Sequence, residues 1–234
     1  MTDAELALSY TLQTWDRDFR EVQSSDEAIL KLSFDSQPLA WLSLRASYEL
    51  GDRSIDDYDP GAQEASFVEP EGVSNLPALR KYDQAAREYD QLYVQAQLFT
   101  GEAWSFFFGV TGRNEDYEES AFGLISDEIL QYNVEVGYTP GDNLNFFVFG
   151  HRADRDSFQR ARQSGATPST NPLDDWTADL DETTDTWGLG VTSKLAERCS
   201  RSSAAWTTRS TSKRRRESST ATRTTRSTVS FCRA

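Results

Sequence analysis

The chain has 234 residues with a formal net charge of −14, and 37% of its residues are hydrophobic. No apolar run is long enough for a transmembrane helix. A basic start followed by an apolar stretch is also absent, so we expect no signal peptide. The acidic balance argues against nucleic acid as a partner. One histidine and two cysteines are too few for a zinc ribbon, a disulfide framework or a covalent haem motif of the C-x-x-C-H kind.

Segments of alternating polarity follow one another along the chain, in the pattern typical of half-buried β-strands. The first, residues 5–14, places Leu6, Leu8, Tyr10 and Leu12 on one face and mostly polar residues on the other. The other segments are residues 28–35, 40–50, 90–99, 104–112, 128–138, 144–152 and 184–194. Their lengths are close to what a tilted strand needs to cross a bilayer.

The connections between these segments alternate in length. The short ones, punctuated by Pro or Gly, are residues 35–39, 100–103 and 139–143, and the long polar ones are residues 15–27, 51–89, 113–127 and 153–183. Outer-membrane barrels have short periplasmic turns and long exterior loops, whereas a soluble sandwich has no reason to gather its long loops at one end. The sequence therefore predicts an all-β fold: an antiparallel up-and-down transmembrane β-barrel, partial, with about eight strands and long extracellular loops.

The polar faces of the strands are expected to point into the barrel lumen. The candidate lumen-facing contacts are Lys31, Arg45, Glu49, Gln95, Gln97, Gln131, Asn133 and Glu135. In an ordinary porin these side chains would meet water, and in a barrel that encloses another protein they would meet that protein. The residues by themselves leave both possibilities open.

Candidates for metal binding and catalysis are few. The acidic runs Asp56–Asp59 and Asp174–Asp175 offer oxygen ligands for Ca²⁺, but EF-hand spacing is absent and solvated loops are expected. His151 falls at the end of a predicted strand, where it could approach a haem or a metal, although a lone histidine is a poor site. No nucleophile with a base and no carboxylate pair stands out, so we expect no metal site, no catalytic residue and no enzymatic activity.

The composition changes abruptly at Cys199. From there to Ala234, 17 of 36 residues are Ser or Thr, and nine Lys and Arg stand against the single acid Glu217. We divide the chain into a barrel segment, residues 1–198, and a Ser/Thr/Arg-rich tail, residues 199–234. The tail is interpreted as a frameshifted stretch, because a Gly- and Asp-rich segment read one base out of frame becomes rich in Arg, Ser and Thr. The alternative is a disordered basic arm that binds anions.

Five segments of the barrel portion together carry a family resemblance. They are Leu39–Tyr48, Leu79–Asp83, Ser120–Asp127, Gln159–Gly165 and Asp175–Asp179. In combination they resemble the decahaem-associated outer-membrane barrels of the MtrB/PioB family, and the resemblance covers most of residues 5–198. Family barrels have many more strands, and the amino-terminal Cys-x-x-Cys of some members is absent, so we interpret the chain as an interior fragment.

The resemblance implies a barrel in the bacterial outer membrane that encloses a multihaem c-type cytochrome. Such a sheath serves extracellular electron transfer in metal reduction or iron oxidation. The implied partners are that cytochrome and the outer-membrane lipid, with haem in the cytochrome and no cofactor in this chain. A passive outer-membrane porin is the first alternative function, and a soluble all-β binding module is the second.

Overall fold

The computed structural model describes residues 3–18, 20–59, 62, 76, 78–117, 119–163, 168–196, 199–214 and 217–232. Within these ranges the chain is all-β, and its eleven strands form one sheet. The helical structure in the same ranges is a single 3-10 turn at Pro172–Asp174. No helix in the described part of the chain is long and apolar enough to cross a membrane.

The strands follow one another in up-and-down order. They are β1 (Asp3–Asp16), β2 (Ser24–Leu39), β3 (Leu42–Ile55), β4 (Leu79–Arg80), β5 (Arg87–Thr100), β6 (Trp104–Asp116), β7 (Phe122–Gly141), β8 (Leu144–Arg162), β9 (Asp175–Ala196), β10 (Cys199–Arg214) and β11 (Glu217–Cys232). Each long strand pairs antiparallel with the next, and β4 lies off this path in parallel pairing with β7. The long strands β1–β3 and β5–β9 correspond one to one to the predicted segments, which confirms the predicted fold class.

The strands are longer than the alternation of polarity predicts. β8 continues to Arg162, for example, where the predicted strand ends at residue 152. The extra length lies mainly at the ends away from the short turns, where both faces carry polar side chains, so hydrophobic alternation cannot detect it. Cross-strand ion pairs occur there instead, such as Arg155 Nε to Asp127 Oδ1 at 2.7 Å. The predicted long loops are correspondingly shorter.

One face of the sheet is apolar and uncovered. Large apolar side chains along it are exposed to solvent, among them Leu8 at 69% and Leu189 at 56%. The buried apolar residues of the described ranges are few: Val22, Leu76, Ala85, Tyr89, Tyr117, Phe122 and Ala178. A soluble monomer rarely exposes so large an apolar surface. Lipid is the medium that covers such a face in an outer-membrane barrel, so this is the lipid-facing side.

Aromatic side chains gather at the short-turn end of the lipid-facing side. Trp41 lies in the turn after β2, and the rings of Trp104 and Tyr138 are 4.5 Å apart across β6 and β7. This placement suits an interfacial aromatic belt. Tyr48 and Trp187 lie within β3 and β9, away from this end.

The backbone of the Ser/Thr/Arg-rich tail extends the sheet. β10 pairs antiparallel with β9, after a register shift between Cys199 and Ser200, and β11 pairs with β10. A strand needs only backbone partners to form, so this pairing is compatible with a sequence that lacks the alternation of the preceding strands. The origin of the tail sequence stays a prediction.

Candidate functional site

The strand register places every predicted lumen-facing residue on the polar face of the sheet, opposite the lipid-facing side. These residues are Lys31, Arg45, Glu49, Gln95, Gln97, Gln131, Asn133 and Glu135. Arg45 of β3, for example, lies directly opposite Gln95 of β5. Because side chains alternate strictly along a strand, a shift of one residue in the pairing of a strand would have moved all of its predicted lumen-facing residues to the lipid-facing side. Contact of these residues with a partner stays a prediction.

Charges on the polar face are neutralised within the sheet. Lys31 Nζ lies 3.3 Å from Glu49 Oε2, and Arg45 Nε lies 2.5 Å from Asp35 Oδ1. Glu135 is exposed and has no ion pair with any residue in the described ranges. In the membrane-spanning part of the sheet, the polar face therefore presents mainly neutral polar groups and internal ion pairs to the lumen.

His151 lies within a strand and not at its end, contrary to the prediction, because β8 runs on to Arg162. Its Nδ1 is 2.7 Å from Oδ1 of Asn133 on the neighbouring strand β7. The side chain is half-buried on the polar face. A cross-strand hydrogen bond to an amide explains this position without a metal or a haem.

An aromatic surface occupies the polar face near the short turns. This aromatic–glycine patch consists of Phe107, Phe147, Phe149, Gly137, Gly188 and Gly190. The rings of Phe147 and Phe149 are 6.4 Å apart, and Phe147 covers Gly190 so closely that a Cβ there would lie 2.3 Å from its Cζ atom. One signal of the patch is visible in the sequence, since residues 144–152 carry aromatic side chains on both faces. Its assembly from four strands, β6 to β9, could not be read from the sequence.

A buried ionic cluster lies on the same face toward the opposite, exterior end. Arg87 of β5 contacts Glu27 Oε1 at 2.5 Å and Glu115 Oε1 at 3.3 Å. Tyr117 donates a 2.7 Å hydrogen bond to the other oxygen of Glu115, and Arg113 Nε approaches Glu115 at 2.6 Å. We call these five residues the exterior cluster. Its donors and acceptors join β2, β5 and β6 beyond the membrane-spanning part of the sheet.

The environment of Glu115 favours its charged form. Burial by itself raises the pKa of this carboxyl group, but the Tyr117 hydrogen bond and the neighbouring Arg87 and Arg113 outweigh burial. The net result is a pKa below the ordinary value of 4.5. A carboxylate whose pKa is depressed in the folded state contributes stability above its unfolded pKa and loses that contribution as the pH falls through the folded pKa.

We therefore expect the exterior cluster to weaken in acid. The free energy of unfolding in lipid vesicles should show no loss from Glu115 above the ordinary pKa of 4.5 and should fall as the pH drops below it through the lowered pKa of the folded protein. A Glu115→Gln variant should show a smaller acid-induced loss than the unchanged protein. Glu102→Gln, a change of an exposed turn residue, is the matched control and should retain the full loss. An identical acid response in the two variants would contradict the role of Glu115.

The acidic runs do not assemble a metal site in the described ranges. No group of three or more His, Cys, Asp or Glu side chains there is placed to hold a metal ion. Asp175 instead forms an ion pair with Arg162 and lies 3.5 Å from Arg160. These contacts tie the start of β9 to the end of β8.

Comparison with known proteins identifies the class to which the sheet belongs. Residues 1–200 match the family described as outer membrane beta-barrel porin, MtrB/PioB. Outer membrane protein MtrB of Shewanella baltica (strain OS185) is 21% identical over 182 residues. That alignment covers 78% of this chain and 24% of the relative, so the chain spans about a quarter of the length of that relative.

The chain also aligns with a solved structure. The crystal structure of the ferric yersiniabactin uptake receptor FyuA from Yersinia pestis aligns with 98% of this chain and 38% of its own chain. The TM-score is 0.49 and the sequence identity is 10%. A similarity of this size carries no conclusion about ligand or mechanism.

Proposed function

The chain belongs to the MtrB/PioB family of outer-membrane β-barrel porins, and from this membership we propose that it forms part of a barrel wall that sheathes a multihaem c-type cytochrome. The cytochrome would carry electrons across the outer membrane, as required for metal reduction or iron oxidation outside the cell. The barrel contributes no bond chemistry. It satisfies its own backbone hydrogen bonds in lipid and offers the enclosed protein a polar inner face.

The observation that carries this proposal is the aromatic–glycine patch on the inner face. Phenylalanine rings that contact water do not stabilise a water-filled pore. Protein interfaces, in contrast, are enriched in aromatic residues at their centres. Phe147 lies over the buried Gly190, so its half-buried ring rests against the wall and presents an apolar surface to the lumen. Glu135, directly opposite Phe107 and Phe149, has no ion pair in the described ranges and is the charge that an occupant of the patch has to satisfy.

The alternative functions differ in what surrounds or fills the barrel. A soluble binding module is excluded by membership of an outer-membrane family and agrees poorly with the exposed lipid-facing side. A passive porin is favoured by the neutral polar side chains Gln95, Gln97 and Gln131 on the inner face. The two outer-membrane functions predict different behaviour when no cytochrome is present.

The decisive experiment measures electron transfer into sealed liposomes, with the barrel and the cytochrome each omitted in turn. The barrel made alone should be colourless, and made with its cytochrome it should co-purify as a red complex. Electron transfer between an external redox reagent and an enclosed one should require both proteins. Solute leakage with the barrel alone, combined with electron transfer that never needs the pair, would support the porin and reject the sheath.

Changes on the inner face should alter retention of the cytochrome. Phe149→Asp should weaken co-purification strongly, because it places a charge in the aromatic–glycine patch where the occupant has to be desolvated. Thr111→Asp adds the same charge to the polar face outside the patch and is the matched control. Equal retention of haem by the two variants would count against the patch as the contact surface.

A further inference from the structure

A short segment of the connection between β3 and β5 lies across the polar face at its exterior end. We call residues 78–86 the strap. Its first part contains β4, and its middle forms a tight turn in which the amides of Gln84 and Ala85 both donate to the carbonyl oxygen of Lys81, each at 2.9 Å. The strap belongs to a connection that the sequence predicted as an exterior polar loop.

The first anchor of the strap is Arg53, a buried residue on the polar face of β3. Its Nε donates to the carbonyl oxygen of Ala85 at 2.8 Å, and its two Nη atoms donate to the carbonyl oxygens of Tyr82 and Asp83 at 2.8 and 3.3 Å. A guanidinium group that donates to three carbonyls within one short turn, those of Tyr82, Asp83 and Ala85, fixes the path of the backbone. Because Arg53 points toward the lumen, the strap must lie on that side of the wall.

The second anchor joins the strap to the connection between β1 and β2. Glu21, only 1% exposed, accepts a hydrogen bond from Lys81 and one of 2.9 Å from Gln84 Nε2. Gln84, fully buried, accepts in turn from the backbone amide of Val22 at 3.2 Å. At the edge of this contact Arg20 lies 2.5 Å from Asp83.

The third anchor is the pairing of β4 with the start of β7. Leu79 and Arg80 pair in parallel with Phe122 and Gly123. Gly123 has a φ of +118°, and a Cβ on it would lie 2.3 Å from the carbonyl oxygen of Arg80. Only glycine combines this backbone conformation with so close an approach. The strap thus runs from the loop beside β2 to β7, past the exterior ends of the strands between them.

We propose that the strap is a fixed permeability barrier that narrows the exterior mouth of the barrel. The three anchors are made by buried or backbone groups on β3, on β7 and in the connection between β1 and β2, so the strap is held in the closed position and does not depend on what fills the lumen. Its function is to exclude solutes from the lumen on the exterior side. This inference stands whether the barrel encloses a cytochrome or conducts solutes by itself.

Liposome swelling with the full-length barrel that contains this segment, without a cytochrome, tests the barrier. A series of sugars from monosaccharide to tetrasaccharide should enter slowly through the unchanged protein. Arg53→Ala and Gly123→Val, which release different anchors, should each raise the rate for the larger sugars by about tenfold, because pore diameter governs passage. Asp35→Ala removes an ion pair from the same face without a strap contact, and should leave the rates unchanged. Heat-modifiable migration in gels verifies that each variant is folded.

A second measurement needs no variant that weakens an anchor. In intact cells that make the barrel without a cytochrome, a bulky impermeant maleimide should label Tyr82→Cys, which replaces a side chain 63% exposed on the strap. It should label Thr111→Cys, deeper on the polar face, far more slowly, after subtraction of the signal from Cys199 and Cys232 in the unsubstituted protein. Equal labelling of the two positions, or folded anchor variants with unchanged swelling, would overturn the barrier. Loss of electron transfer would contradict the proposed sheath function and not the barrier.

Discussion

Replacing Val134 by arginine is expected to lower the free energy of unfolding by about 2–4 kcal/mol, the cost of a charge near the bilayer midplane on a barrel's lipid side. Val134 is the middle residue of the apolar stripe from Leu130 to Tyr138 on β7. Its side chain is 47% exposed, and its cross-strand neighbours are Phe108 and Gly150. None of these neighbours offers a carboxylate to the new guanidinium group. Urea titration of the protein folded in phospholipid vesicles measures the loss.

The matched control is Gln131→Arg on the same strand. Gln131 lies on the polar face, opposite Thr111 and Ala153, so the same side chain is added where water or a protein occupies the lumen. We expect a change within about 0.5 kcal/mol, as for most exposed substitutions. If the two arginine variants lose equal stability, the assignment of the lipid-facing and polar sides is wrong.

Arg87→Met is expected to cost about 3–5 kcal/mol, the usual consequence of removing one member of a buried ion pair. Arg87 forms the ion pair with Glu27, which is buried on the inner side of β2. Arg53 lies opposite Glu27 on β3, but its guanidinium donates to the strap carbonyls instead. Glu115 keeps Arg113 and Tyr117 after the change, so the loss arises mainly at Glu27. The same vesicle titration, at neutral pH, measures it.

A double variant separates this cause from lost packing. Arg87→Met combined with Glu27→Leu removes both charges and should recover most of the stability, since apolar replacement of a buried pair is often neutral. Glu49→Gln changes a carboxylate that has another cation, Lys31, and should have a much smaller effect. A double variant as unstable as the single one would show that the uncompensated charge of Glu27 is not the cause.

The membrane-spanning half of the fold was predictable because its signal is local. Leu42, Leu44, Ala46 and Tyr48 alternate with polar residues. Because successive side chains of a strand point to opposite faces, this alternation is enough to assign them to one face of β3. The exterior half of each strand escaped prediction because water lies on its outer side and a polar, ion-paired layer on its inner side. Because neither face of this half is apolar, hydrophobic and polar residues do not alternate along its sequence.

By itself, the sequence determined the all-β class, the positions of the long strands, the two faces of the sheet and the family. These follow from alternation along one strand and from local motifs, which need no knowledge of distant residues. Only the tertiary structure decided the strap, the exterior cluster and the aromatic–glycine patch. Arg53 meets Ala85 across 32 positions of sequence, and Arg87 meets Glu27 across 60. Such contacts depend on register and on the path of a connection, which the separate strands do not specify.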